Sequence, residues 1–374
     1  MTTLTRIQTQ VDGAMRLATA PMRRLLSAGW LPYSRLILVR DQADWVIDEE
    51  MRALSRIART LGIREADDRW LTGSRRQSVF YGNQFSLLAP DWLHSTHHVG
   101  VAYFHGKPGT GVKDFDTLYE RLSLHHERIS RIQASHSEMR DFLLATGIAH
   151  DKVHLIPIGI NLDHFPVQTP ESKLMARKRF GIPQSAVAVG SFQKDGSGWG
   201  EGLEPKLIKG PDIFLKTVER LRSRIPELFV VLSGPARGYV KTGLEILGVP
   251  FRHFLFDRYA DVGILFQALD CYLIASRQEG GPKAVLESMA SGVPLVTTRV
   301  GQAMDMVSHG INGYMVEVDD TEGLAVWTEH VLTHPSERPA LQQAGRKTAE
   351  SNSYESQTPL WSRFLEGFVE RSTR

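Results

Sequence analysis

Short runs of β-branched and aliphatic residues alternate along this chain with longer stretches whose apolar positions recur every three or four residues. Leu36–Val39, Ser78–Tyr81, 99–104, Ile129–Ala134 and 153–158 are runs of the first kind. Between them, 44–61, 115–126 and 138–145 carry helical spacing. Side chains of the first kind fit a pleated surface, and apolar positions three and four apart fall on one helix face. Such alternation predicts a parallel sheet covered by helices. The segment 159–169, with Pro157, Pro166 and Pro170 in or beside it, has the composition of a linker. A second series follows, with strands at Val187–Phe192, 228–232, 251–255, 271–275 and 294–297 and helices at 211–224, 261–269 and 283–291. Near the end, 355–370 reads as a helix with Leu360, Phe364 and Phe368 on one face. The pattern predicts an α/β protein of two facing Rossmann-like domains with a cleft between them. The first domain covers 1–165, with the C-terminal helix 354–374 packing back on it, and the second covers 166–353. In open parallel sheets ligands sit at the carboxyl ends of the strands, so the chemistry is sought there.

The 374 residues suit two domains of this size. No apolar run approaches the roughly 18 residues of a membrane span, and no secretory signal is recognised. A single cysteine, Cys271, excludes an internal disulfide and fits a reducing compartment. Charge alters the picture at one place. The net charge is +2, but residues 1–40 carry six arginines against Asp12, or +5, leaving −3 for the rest. There Leu4, Ile7, Val11, Ala14, Ala18, Met22 and Leu25 share one helical face, interrupted at Pro21. A basic amphipathic segment over 1–30 can pack on a protein surface or lie on an anionic membrane. The body of the chain is no general polyanion binder, and no nucleic-acid motif is present.

The sharpest local pattern is Glu279-Gly280-Gly281-Pro282-Lys283-Ala284-Val285-Leu286-Glu287, between a predicted strand and a helix that Pro282 opens. Glycines allow close backbone approach to a ligand, and a helix start attracts a diphosphate. Glu279 lies before the helix and Glu287 inside it, and both could face one ligand. For two glutamates alone, a solvated helix start with Lys283 and Glu287 paired is the simpler reading. The ordered context of strand, glycine turn, helix, Ser291-Gly292 and return strand weighs against it.

With its flanks, this pattern resembles the paired-glutamate signature of the family 4 retaining glycosyltransferases. The flanks are Cys271-Tyr272-Leu273-Ile274-Ala275-Ser276-Arg277, Met289-Ala290-Ser291-Gly292-Val293-Pro294, Gly310-Ile311-Asn312-Gly313-Tyr314 and the linker Ile156-Pro157-Ile158-Gly159-Ile160-Asn161. The match covers about residues 150–320. The resemblance implies the GT-B fold and a role for each matched residue. Glu287 binds the ribose and Glu279 the transferred sugar. Gly280, Gly281 and Pro282 meet the donor through backbone groups, with Lys283 beside them. Lys209, in Lys209-Gly210-Pro211, is one of two cations that hold the diphosphate. The other, an arginine just after Gly190, is Ser191 here. Either Lys194 or Lys206 replaces it, or these lysines only keep a long loop soluble. His105, at the end of the predicted strand 99–104, matches a strand-end histidine that reaches toward the donor sugar.

Other patterns fail. Gly196–Gly202 misses the dinucleotide fingerprint, and 106–113 lacks the lysine of a P-loop. The histidines His94, His97, His98, His125 and His126 lack a ligand frame, so no metal is expected. The expected activity is that of a retaining, metal-independent glycosyltransferase with no cofactor. Its donor is a UDP- or GDP-linked sugar and its acceptor a saccharide or lipid-linked saccharide, in the biosynthesis of cell-surface polysaccharide or glycolipid. The expected place is the cytoplasm, at the inner face of the membrane. A nucleotide-sugar epimerase of the same fold and a non-catalytic nucleotide-sugar-binding protein are the alternatives.

Overall fold

The structure is a computed structural model that describes residues 35–40, 45–71, 74–198 and 200–369. The amphipathic segment expected over 1–30 lies outside the described residues. The chain forms two compact units, Met1–Ile156 with Gln357–Arg374, and Pro157–Ser356. Among the described residues each unit holds one parallel six-stranded sheet. No helix among them is long and apolar enough to cross a membrane.

The first unit runs β1 (Leu36–Val39), α1 (Trp45–Thr60), β2 (Glu65–Ala66), β3 (Ser78–Tyr81), β4 (His98–Tyr103), α2 (Lys113–His125), β5 (Ile129–Ala134), α3 (Ser137–Ala145) and β6 (Val153–Leu155). Its sheet order is β2-β1-β3-β4-β5-β6. Strand β2 has only two residues and carries too little apolar signal to be read from sequence. A last helix, α12 (Thr358–Leu365), belongs to this unit. Trp361 and Phe364 meet Phe80 of β3 edge-to-face, with ring centroids 5.7 and 5.3 Å apart. The helix is shorter than the predicted 355–370 because Gly367, at φ 71°, turns the chain. Phe368 is therefore buried from a turn. It packs against Gly100 of β4, where a Cβ would stand 2.9 Å from its ring.

The second unit runs α4 (Pro170–Phe180), β7 (Val187–Phe192), α5 (Pro211–Arg222), β8 (Leu228–Ser233), α6 (Gly238–Leu247), β9 (Phe251–Phe254), α7 (Ala260–Phe266), β10 (Cys271–Ile274), α8 (Lys283–Ala290), β11 (Leu295–Thr298), α9 (Ala303–Met306), β12 (Tyr314–Val316), α10 (Thr321–Thr333) and α11 (Arg338–Ser351). The order β12-β11-β10-β7-β8-β9 is that of a doubly wound sheet. Successive strand residues face opposite layers, so Cys271 packs with Phe214, Val218 and Leu244 while Tyr272 packs with Phe266, Leu286 and Met289. The segment 159–169 is not a loose linker. Ile160 and Phe165 are fully buried, and Ile160 bridges to Ser353. Its prolines mark turns of the backbone and say nothing about burial. Helix α8 starts at Lys283, and Pro282 is its extended N-cap, not its first residue.

Candidate functional site

Sheet order locates the candidate site. Strand β7 comes first in the second unit, β8 and β9 lie to one side of it, and β10 to β12 lie to the other. The carboxyl ends of β7 and β10 therefore diverge at a switch point, where loops leave a crevice. The segments that follow are 193–209 and 275–282. They carry Lys194, Lys206, Lys209, Glu279, Gly280, Gly281 and Pro282.

The two loops are bonded to each other. Lys209 Nζ donates to Glu279 Oε2 at 2.6 Å. Ser276 Oγ donates to Glu279 Oε1 at 2.9 Å, so both carboxylate oxygens are held. Gln193 Nε2 donates to the Lys209 carbonyl at 3.0 Å. The backbone N–H groups of Arg277 and Gln278 donate to Ile208 O at 2.9 and 3.0 Å. The Arg277 guanidinium grips both oxygens of Asp212 at 2.7 Å and Asp319 at 2.7 Å. This fork holds the Asp212 carboxyl below the usual range. Gly210 makes the approach possible. It lies at φ 62°, and a Cβ there would stand 1.8 Å from the Ala275 carbonyl.

The glycine turn before α8 is equally crowded. A Cβ on Gly281 would meet Ile158 Cδ1 at 2.5 Å and Gln302 Oε1 at 2.9 Å. Gln302 N donates to Gly280 O at 3.3 Å, and Ile158 N donates to Gln302 Oε1 at 3.0 Å.

Glu287 lies inside α8 and is 5% exposed. Its Oε1 accepts from the Tyr259 hydroxyl. Burial pushes its carboxyl up, against the Tyr259 hydrogen bond and the Lys283 charge. Lys283 is also buried. Its Nζ donates to Tyr354 Oη at 2.7 Å and stands 4.8 Å from the centre of the Tyr259 ring. The simple alternative of a solvated helix start does not hold, because α8 begins inside the protein.

His105 belongs to the first unit, two residues beyond β4. Gln84 Nε2 donates to its carbonyl at 2.6 Å and lies 3.0 Å from its Nδ1. Phe85 and Phe115 flank the ring at 6.2 and 5.4 Å. Of the histidines outside any motif, His97 is buried and lies 3.1 Å from the backbone N of Gln77.

Position 191 carries the largest surprise. Ser191 ends up under a guanidinium after all, delivered from elsewhere in the chain. Arg237 Nη1 donates to Ser191 O at 2.6 Å and to Ser233 O at 3.0 Å, and Nη2 donates to Ser191 Oγ at 3.3 Å. Its Nε lies 3.0 Å from Asp195 Oδ1, and neither side chain is exposed. Sequence reading missed Tyr259, Ser276, Asp195 and Arg237. Only Ser276 stood in a recognised motif. The others lie in loops where no periodicity signals burial.

The sequence model of the family described as Glycosyl transferases group 1 matches residues 203–348. A D-inositol 3-phosphate glycosyltransferase of Stackebrandtia nassauensis is 28% identical over 213 residues, 51% of this chain and 43% of that protein. A GDP-mannose-dependent alpha-(1-6)-phosphatidylinositol monomannoside mannosyltransferase of Mycolicibacterium smegmatis is 28% identical over 53% of this chain and 51% of its own length. The match thus spans about half the length of these two relatives. Among solved structures, Anabaena Alr3699/HepE in complex with UDP-glucose has a TM-score of 0.71 at 14% identity, over 90% of this chain and all of that one. That likeness is one of fold, two Rossmann-like α/β domains in one chain. Lys206, Lys209, Glu279 and Glu287 all lie within residues 203–348, the segment that is similar to the glycosyl transferases group 1 family, and Lys194 lies before it.

Proposed function

We propose that this protein transfers a sugar from a nucleoside-diphosphate sugar, UDP- or GDP-linked, to a saccharide or lipid-linked saccharide, with retention of anomeric configuration and without a metal. The observation that carries this reading is the gathering of Lys209 and Glu279 at the switch point of the second unit, next to the glycine turn that leads into the Glu287 helix. The names of the relatives, an inositol phosphate glycosyltransferase and a phosphatidylinositol mannoside mannosyltransferase, support the donor and acceptor classes.

The chemistry follows from charge. When the bond between the anomeric carbon and the β-phosphate oxygen breaks, its electron pair leaves with the diphosphate. Lys209 and the backbone N–H groups around Gly281 and Pro282's successor helix offset that charge, with Lys194 or Lys206 adding a second cation. The sugar passes through an oxocarbenium-like state. Glu279 orients it, and Glu287 accepts hydrogen bonds from the ribose. The acceptor hydroxyl attacks from the face that the phosphate leaves, and its proton passes to the departing phosphate oxygen. The basic segment 1–30 is assigned to the inner face of the cytoplasmic membrane, where a lipid-linked acceptor resides.

The test incubates the protein with radiolabelled UDP- and GDP-sugars and a bacterial glycolipid extract, with and without EDTA. The expected product is an EDTA-insensitive glycolipid of retained configuration by NMR. An inverted product contradicts the retaining reading, and loss of activity in EDTA contradicts metal independence. Donor consumed without any acceptor glycosylated supports an epimerase instead. Donor bound without turnover supports a binding protein.

A further inference from the structure

The glycine-rich stretch that matches no dinucleotide fingerprint is built around the Asp195–Arg237 pair. Its two legs are joined by Lys206 N donating to Asp195 O at 2.8 Å, Ser197 N donating to Glu204 O at 2.8 Å, and an antiparallel bridge between Gly196 and Pro205. Its glycines serve packing. A Cβ on Gly196 or Gly202 would stand 2.3 or 2.2 Å from the Ala236 carbonyl. The hairpin also covers the start of α6. Gly238 N donates to Glu201 O at 2.7 Å and Tyr239 N to Gly202 O at 2.9 Å. That helix start is therefore occupied by the protein's own carbonyls.

Arg237 cannot be the missing phosphate ligand. Its side chain has no exposure, its nitrogens are directed at Ser191, Ser233 and Asp195, and the Asp195 carboxylate balances its charge. It ties together the tips of β7 and β8 and the root of the hairpin. From that root two lysines emerge, Lys194 directly before Asp195 and Lys206 bonded to it through the backbone. One 3-10 turn later comes Lys209, whose N–H donates to Lys206 O at 2.8 Å.

We propose that the buried Asp195–Arg237 pair is a positioning device for diphosphate recognition. It fixes the roots of the hairpin so that Lys194 and Lys206 stand with Lys209 and supply the positive charge that an arginine at position 191 would bring. This inference rests on the donor-site reading above. A buried pair of this kind contributes little net attraction of its own, and its loss leaves an uncompensated charge. Its effect on a ligand acts through the lysines.

Calorimetric titration with a nucleoside diphosphate and the monophosphate of the same base separates this role from a merely structural one. The variants are Arg237→Gln, Arg237→Lys and the double variant Lys194→Gln/Lys206→Gln. The double variant alters lysines that are not in the core, so it stays folded and decides the matter if Arg237→Gln does not fold. The expected result is a diphosphate Kd about tenfold weaker in Arg237→Gln and in the double variant, with monophosphate affinity unchanged and Arg237→Lys in between. Equal weakening of both nucleotides in Arg237→Gln, or unchanged diphosphate binding in the double variant, overturns the proposal while the donor-site reading stands. Wild-type protein that binds neither nucleotide overturns that reading and this inference with it.

Discussion

Lys209 and Glu279 stand one hydrogen bond apart across the two loops: Nζ donates to Oε2 at 2.6 Å. Each is the partner that neutralises the other before a donor arrives. A diphosphate draws on the lysine and a sugar hydroxyl on the carboxylate, so the two substitutions separate binding from turnover. Lys209→Met is expected to weaken nucleoside diphosphate binding about tenfold or more, the loss of one charge-assisted hydrogen bond. Glu279→Gln is expected to bind the diphosphate at least as well as wild type while sugar transfer falls by about a hundredfold or more. Calorimetry and a transfer assay on the same preparations check both.

Glu287 gives a pH dependence. Burial raises its carboxyl above the ordinary value of 4.5. The folded protein therefore keeps this proton to higher pH than the unfolded chain does, and stability tied to it falls as pH rises from about 4.5. Urea unfolding of wild type and Glu287→Gln between about pH 4.5 and 8 reads the difference. Wild type is expected to lose stability relative to the variant as pH rises. A flat or opposite trend contradicts the burial account.

Gly210 carries both a left-handed conformation and the contact with Ala275. Gly210→Ala is expected to cost about 2 kcal/mol or more in urea unfolding. It is also expected to weaken diphosphate binding, because Lys209 precedes it. An unchanged midpoint contradicts the packing argument.

Except for the short strands β2 and β12, the strands were legible, as were most helices, because their signal is local. Ser78–Tyr81, Ile129–Ala134 and Val187–Phe192 were read with the boundaries that the structure has. Helix α4 was not, because only Ala176, Arg177 and Phe180 of its eleven residues are buried and its charged face dominates. Helix α11 is similarly polar, with Leu341, Gly345 and Ala349 as its buried stripe. Within the candidate site, the glycine turn and the two glutamates were legible as a motif. The Tyr259–Glu287 bond and the Arg237 guanidinium over Ser191 were not. The first joins positions 28 residues apart and the second positions 46 apart, and only the fold brings such positions together.

Cys271 is buried at the start of β10, and burial pushes its thiol up to about 12. At pH 8 it is expected to be inert toward a thiol reagent in the native protein and to titrate as one thiol after denaturation. Rapid modification of native protein contradicts the placement of β10 in the centre of the sheet.

The most direct test of a nucleotide site at the β7–β10 switch point is thermal unfolding of wild type and Glu287→Ala with UDP and GDP. A ligand at 100 times its Kd stabilises a protein by about 2.7 kcal/mol, a shift of a few degrees. Wild type is expected to shift with one of the two nucleotides and Glu287→Ala to lose most of that shift. No shift with either nucleotide, or the same shift in the variant, contradicts the account.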